Sequence, residues 1–226
     1  MTERSLIIIN PNSSQTVTDG IDRAVDALRR FGMPIRCLTL AEGPPGIESQ
    51  RQADLTIAPM LQMAAAQKDA AGYVIACFGD PGLHALRDQT ALPVVGIQEA
   101  AVLSALTLGQ RFGVIAIMAA SIPRHLRAFG AMGVLDRLAG DRALGLGVAD
   151  LADPDKSLAA MIATGKRLRD EDGANVLIMG CAGMAHYRAV LEDETGLPVV
   201  EPCQAGAALA LSHIALNQSH KGARHA

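Results

Sequence analysis

The chain spells one supersecondary unit twice, and that internal repeat restricts it to a fold with two matched halves. In the first copy Ile75-Ala76-Cys77 ends an apolar run, a helix-like stretch follows, and Leu92-Pro93-Val94-Val95 opens the next run. In the second, Ile178-Met179-Gly180-Cys181 leads through a helix-like stretch to Leu197-Pro198-Val199-Val200. The proline follows the cysteine by 16 residues in the first copy (77 to 93) and by 17 in the second (181 to 198). An Ala-rich helix is expected after each Pro-Val-Val, over Glu99–Leu108 and over Gln204–Leu216. The openings also correspond: Leu6–Asn10 runs into Ser13-Ser14, and Gly113–Met118 into Ala119-Ala120-Ser121.

The strands behind this repeat are short. Leu6–Ile9, Ile35–Leu40, Tyr73–Ala76, Val94–Ile97, Gly113–Ile117, Val176–Met179 and Val199–Val200 are rich in β-branched residues and do not alternate with polar ones. That is the pattern of parallel strands covered on both faces. A helix is expected over Thr16–Phe31, where Ile21, Ala24, Val25, Leu28 and Phe31 fall at helical spacing and Thr16, Thr18 or Asp19 caps the start. Strands alternating with helices give an α/β fold. The repeat makes it two similar parallel-sheet lobes related by pseudo-two-fold symmetry, residues 1–98 plus 205–226 in the first and 99–204 in the second. The tail from about Asn217 is expected to fray.

Each half thus sets a cysteine directly after a strand. Parallel sheets bind ligands at the carboxyl ends of their strands, so the symmetry turns Cys77 and Cys181 toward one cleft from opposite sides. A free cysteine is ordinarily a small buried hydrophobe. That reading is kept for Cys37 and Cys203, while the matched positions set Cys77 and Cys181 apart. No C-x-x-C and no His pair at zinc spacing occurs, so no metal is expected. Two thiols, with an ordinary pKa of about 8.5, suit inversion of an acidic carbon. One removes the proton from one face and the other supplies a proton to the opposite face, whereas a lone base tends to return the proton where it came from.

The surrounding turns carry further expectations. Cys77-Phe78-Gly79-Asp80-Pro81-Gly82 reads as a turn entering a helix, Asp80 as N-cap and Pro81 at the first helical position, with N–H groups that stabilise a thiolate at Cys77. Ala182-Gly183-Met184 is the corresponding turn after Cys181, and its N–H groups suit an enolate-like oxygen. Asn10-Pro11-Asn12-Ser13-Ser14 offers amides and hydroxyls to the cleft, or caps a helix. Gly43-Pro44-Pro45-Gly46 is a loop flanking the pocket, with Ile47 as a wall; His84 and His186 are expected on solvated helix faces.

Composition removes several functions. A net charge of −3 with 3% aromatics and no Trp argues against nucleic acid. No apolar run is long enough to span a membrane, and the run from Ser5 to Ile9 is too short for a signal peptide, so a cytoplasmic protein is expected. Nothing resembles a phosphate loop or a dinucleotide fingerprint, so no cofactor is expected.

Taken together, Ile9-Asn10-Pro11-Asn12-Ser13-Ser14, Ala76-Cys77-Phe78-Gly79-Asp80-Pro81-Gly82-Leu83, Pro93-Val94-Val95-Gly96-Ile97 with Glu99-Ala100-Ala101, and Gly180-Cys181-Ala182-Gly183-Met184 resemble the hydantoin racemase family. That family includes allantoin racemases and belongs to the aspartate/glutamate racemase superfamily. The resemblance runs from about residue 5 to residue 216. It implies two α/β domains with the active site between them, a homo-oligomer, and cofactor-free inversion at C5 of a 5-substituted hydantoin by Cys77 and Cys181. It further implies that Asn10, Phe78, Gly79, Ala182 and Gly183 hold the ring's carbonyl and N–H groups and that Ile47 lines the pocket for the 5-substituent. Met118 is expected in the same pocket, at the end of the strand where hydantoin racemases usually carry a pair of threonines; here no hydroxyl follows until Ser121. An aspartate/glutamate-type amino-acid racemase or a maleate-type cis–trans isomerase on the same fold is the nearest alternative. A dicarboxylate would want cations in the cleft, and near the cysteines the sequence shows only Arg87 and Arg188, well into their helices. A non-catalytic small-molecule binding module is the third reading, weakened by the matched thiols.

Overall fold

A computed structural model of the chain describes residues 4–146 and 154–220. Its strands form two four-stranded parallel sheets. β1 (Ser5–Asn10), β2 (Ile35–Thr39), β3 (Ala70–Ile75) and β4 (Val94–Gly96) lie in the order β2-β1-β3-β4. β5 (Phe112–Ala116), β6 (Leu138–Ala143), β7 (Val176–Met179) and β8 (Val199–Val200) lie in the order β6-β5-β7-β8. Numbering each sheet from its own first strand gives the same order twice, with every pairing parallel. The central strands are buried along their whole length, so both faces of each sheet are covered, as the unalternating apolar runs require.

Nine helices among the described residues do the covering: α1 (Gln15–Ala24), α2 (Gln50–Leu55), α3 (Ile57–Ala66), α4 (Leu83–Gln89), α5 (Ile97–Leu108), α6 (Ile122–Ala131), α7 (Pro154–Asp170), α8 (Arg188–Thr195) and α9 (Pro202–Ala215). Two of them cross over. α5 leaves the end of β4 in the first sheet, yet its Ala101, Val102 and Ala105 pack with Phe112, Val114, Val176 and Ile178 of the second. α9 leaves the end of β8 in the second sheet, yet Ala207 and Ala210 pack with Leu6, Ile8, Val74 and Val95 of the first. The two helices also pack on each other. Small side chains on both let the three layers come close.

Several expectations need correction. The helix foreseen over Thr16–Phe31 stops at Ala24 and tightens into a 3-10 segment over Asp26–Phe31; its cap is Ser14, whose Oγ accepts the Val17 N–H (3.4 Å). β6 was invisible as a strand because Leu138-Ala-Gly-Asp-Arg-Ala143 is half polar, which an edge strand with one side open tolerates. The tail does not fray at once: the Val94 N–H, left unpaired at the sheet edge, donates to His220 Nε2 (2.9 Å). The rest of that expected frayed tail, 221–226, lies outside the described residues.

The largest correction concerns Asp80. It does not cap the helix that follows it; α4 begins at Leu83 with Gly82 at the cap position and no side-chain cap. Gly79 (φ 129°), Asp80 (φ 46°) and Gly82 (φ 72°) all turn left-handed, and this throws the Asp80 carboxylate across to α5, where it accepts the N–H groups of Gln98 and Glu99 (2.9 Å each). The second half meets the same need differently. Glu201 stands one residue before α9 and accepts the N–H groups of Cys203 (3.0 Å) and Gln204 (2.6 Å). By the spacing from each proline, Glu201 corresponds to Gly96. A Cβ at Gly96 would run into the Asp80 carboxyl group, so the first half needs glycine where the second carries its cap.

This coupling is measurable in a double-mutant cycle. Asp80→Ala should cost about 1 kcal/mol as a lost cap, and Gly96→Ala about 2 kcal/mol as overpacking. Gly96→Ala in the Asp80→Ala background should cost close to nothing, because the clashing partner is gone. Additive losses in denaturant melts would contradict the arrangement.

Candidate active site

The carboxyl ends of the two sheets converge on a small chamber of about 40 Å³. Ala76, Cys77 and Phe78 reach it from the end of β3; Gly180, Cys181 and Ala182 reach it from the end of β7. Both cysteines are partly exposed there, unlike Cys203, which is fully buried in the first core. Asn12, Val17, Ile117, Ser121, Arg124 and His125 complete the wall, with Ile47 reaching in from the Gly-Pro loop. Larger cavities adjoin on either side. One of about 310 Å³ shares Ile47, Cys77, Phe78 and Arg124 with the chamber, and one of about 550 Å³ shares Val17 and Ala182.

The residues singled out in the sequence are distributed as follows. Ile47, Cys77, Phe78, Cys181 and Ala182 meet in the chamber itself. Gly79 lines the 310 Å³ cavity and Gly183 the 550 Å³ one. Asn10 and Met118 are not among the chamber-lining residues. Asn10 is 1% exposed and its amide is consumed inside the turn, Nδ2 donating to Asn12 Oδ1 (2.9 Å), Ser14 O (3.2 Å) and Thr18 Oγ1 (3.0 Å). Asn12 stands at the wall in its place. Its Oδ1 accepts from Asn10 and from the Ser14 N–H (2.9 Å), which fixes the amide so that Nδ2 remains the free donor. At the threonine-less strand end, Ile117 and Ser121 face the chamber instead of Met118, and Arg124 Nη2 donates to Ser121 Oγ (3.3 Å).

Sequence reasoning missed Arg124, His125 and Asp141. His125 is 1% exposed, with Nδ1 2.8 Å from Asp141 Oδ2. Its ring meets Phe78 edge-on, centroids 5.0 Å apart, so the pair fixes a chamber wall. The spacing of Ile122, His125 and Phe129 on one helix face was a usable signal for an inward His125. Asp141 was hidden by the missed strand β6. Among the described residues no cluster of three His, Cys, Asp or Glu is placed to hold a metal ion, and no helix is long and apolar enough to cross a membrane.

The two thiols sit in unequal fields. Desolvation pushes Cys77 far up; the neighbouring Cys181 and Asp80 push the same way, and Arg124 pulls it back only in part. Desolvation also raises Cys181, but the Gly183 N–H donates to its Sγ (3.3 Å) and holds it to about 11. The turn after Cys77 therefore does not favour the thiolate there: its Asp80 turns to α5, and a carboxylate, itself pushed up to about 7 by burial against the pull of two N–H bonds, faces the sulfur's surroundings. Of the two thiols, Cys181 is the less raised.

A model of the Asp/Glu/hydantoin racemase family matches residues 6–210. The chain belongs to the Asp/Glu/hydantoin racemase family. It is 35% identical over 202 residues to a hydantoin racemase of Pseudomonas sp., covering 88% of this chain and 81% of that one. An allantoin racemase of Pseudomonas fluorescens superposes with a TM-score of 0.93 at 27% identity, covering 97% of this chain and 94% of the other. The allantoin racemase of Klebsiella pneumoniae gives 0.88 at 29%, with 98% and 91% covered. The two parallel-sheet lobes are thus the family's fold, and the chain is a racemase.

The racemase's thiol asymmetry predicts its labelling. Raised pKa values keep both thiols protonated at neutral pH, and only the thiolate reacts. Alkylation by iodoacetamide should accelerate about tenfold per pH unit from 7 to 9 and reach Cys181 before Cys77 in peptide mass maps. A plateau below pH 9, or Cys77 modified first, would contradict the assignment.

Proposed function

We propose that the racemase inverts C5 of a 5-substituted, allantoin-like hydantoin by proton transfer between Cys77, Cys181 and the substrate, without a cofactor. The observation that carries this reading is the meeting of both cysteines in one chamber at equivalent strand ends. The cleft separates a lobe of 1–98 plus 205–226 from a lobe of 99–204, and the protein works as a cytoplasmic homo-oligomer.

In one direction the Cys181 thiolate removes the C5 proton and becomes a thiol. The electron pair of the broken C–H bond moves into the adjacent carbonyl, giving an enolate. The Cys77 thiol then protonates C5 from the opposite face and becomes the thiolate. The charges balance, and the other enantiomer runs the steps in reverse. A thiol raised to about 11 is a stronger base toward a carbon acid than an ordinary cysteine, at the cost of a smaller ionised fraction at neutral pH. The developing oxyanion needs donors. Asn12 Nδ2 and the backbone of the two cysteine turns supply them, while Asn10 acts through Asn12. The Phe78 and Ile47 side chains exclude water from the ring.

The test starts from single enantiomers of 5-methylhydantoin and allantoin, followed by polarimetry against the spontaneous rate. Wild type should racemise at least one of them. Cys77→Ser and Cys181→Ser should each lower the rate by at least about 100-fold, since each removes an acid–base partner. Wild-type rates from either variant would refute the mechanism.

A further inference from the structure

We infer that Arg124 makes this site selective for hydantoins whose 5-substituent ends in a carboxylate, such as a carboxymethyl or 2-carboxyethyl arm. The inference rests on the hydantoin reading above and deepens it. Arg124 is in the first turn of α6 and lines both the reaction chamber and the 310 Å³ cavity on the Cys77 side. A substituent leaving C5 toward that cavity, along the Ile47 wall, has to pass the guanidinium.

The guanidinium is set up for an anion it does not have. Nη1 donates to the carbonyl of Glu48 (3.2 Å) and Nη2 to Ser121 Oγ (3.3 Å), with a longer contact from Nη1 to the Ala120 carbonyl (3.5 Å); all three acceptors are neutral. The titratable groups that act on it are the Cys77 thiol, protonated at neutral pH, and the Arg127 cation. Most of the other partly buried arginines hold a carboxylate: Arg29 pairs with Asp22, Arg36 with Asp69, Arg87 with Glu99, Arg142 with Asp172 and Arg169 with Asp170; Arg137, which lines neither cavity, bonds the neutral Gly109 and Gln110 instead. A half-buried cation without a fixed carboxylate pays desolvation that an incoming carboxylate would recover. Two acids do line the cavity, but both are engaged: Asp80 with the α5 N–H groups and Asp54 with the Gln50 amide (2.8 Å). Arg127, held to Gln50 Oε1 (2.6 Å), adds a second positive charge at the outer wall. The cleft thus has the cation that the sequence did not reveal, at the place where an acidic arm would end.

The experiment compares kcat/KM for 5-(2-carboxyethyl)hydantoin with that for its amide, 5-(2-carbamoylethyl)hydantoin, which has the same shape and no charge. Both use the same thiols, so any effect of Arg124 on Cys77 or on folding cancels in the ratio. Wild type should favour the acid by at least about tenfold, and Arg124→Met should lower the ratio by about 10- to 100-fold, mainly through KM, as a charge-assisted hydrogen bond implies. Arg124→Lys should keep part of the preference, retaining the charge without the fork. A wild-type ratio near one, or an equal loss for both substrates in Arg124→Met, overturns the inference while leaving the racemase reading intact. Failure of wild type to invert any hydantoin, 5-methylhydantoin included, overturns both.

Discussion

The exchange of helices between the two sheets is the constraint on which the site depends. A single parallel sheet offers its strand ends to solvent on one edge. Here α5 is anchored at the end of the first sheet and buried against the second, and α9 does the reverse. Neither sheet can rotate away without tearing Ala- and Gly-rich interfaces out of a core, and the ends of β3 and β7 are held toward each other. Each crossing helix starts at the cleft, so its first N–H groups need partners in a dry place. Asp80 and Glu201 meet that need from different positions, which is why Gly96 and Glu201, equivalent by the repeat, are unlike residues.

That difference reaches the chemistry. The carboxylate solution in the first half places Asp80 three residues beyond Cys77 and raises the thiol further, while Arg124 opposes it. In the second half the cysteine is steadied by the Gly183 N–H. A symmetric fold thereby holds two thiols in unequal surroundings, and the proposed mechanism, which begins each cycle with one base and one acid, uses that inequality. Cys203, fully buried beside Glu201, lies in the core and does not line the chamber.

The sequence revealed the two halves, the central strands and the paired cysteines because each is local: an apolar run, a Cys and a Pro-Val-Val at matched spacing. It hid what depends on long-range encounter. The two edge strands show the contrast: β2 is apolar enough to be read from its residues, whereas β6 carries Asp141 and Arg142. Asp80 followed by Pro81 looks like a helix start, and only the left-handed turn and the proximity of α5 reveal its real partner. Asn10 and Asn12 are two residues apart in one turn; which faces the chamber is set by Thr18 and Ser14 closing around Asn10. Arg124 lies 47 positions from Cys77 in the chain, and no spacing rule links them.

The central claim is that two sulfurs serve opposite faces of one bound carbon acid, and isotope placement tests it most directly. One enantiomer of a turned-over hydantoin is incubated in D₂O and sampled over the first few per cent of conversion, with the enantiomers separated before mass analysis. The product should carry solvent deuterium at C5 while the remaining substrate stays protonated, because the removed proton stays with one sulfur and the new one comes from the other. Product that keeps the original proton, or deuterium appearing equally in unconverted substrate from the start, would show a single base at work and contradict the account.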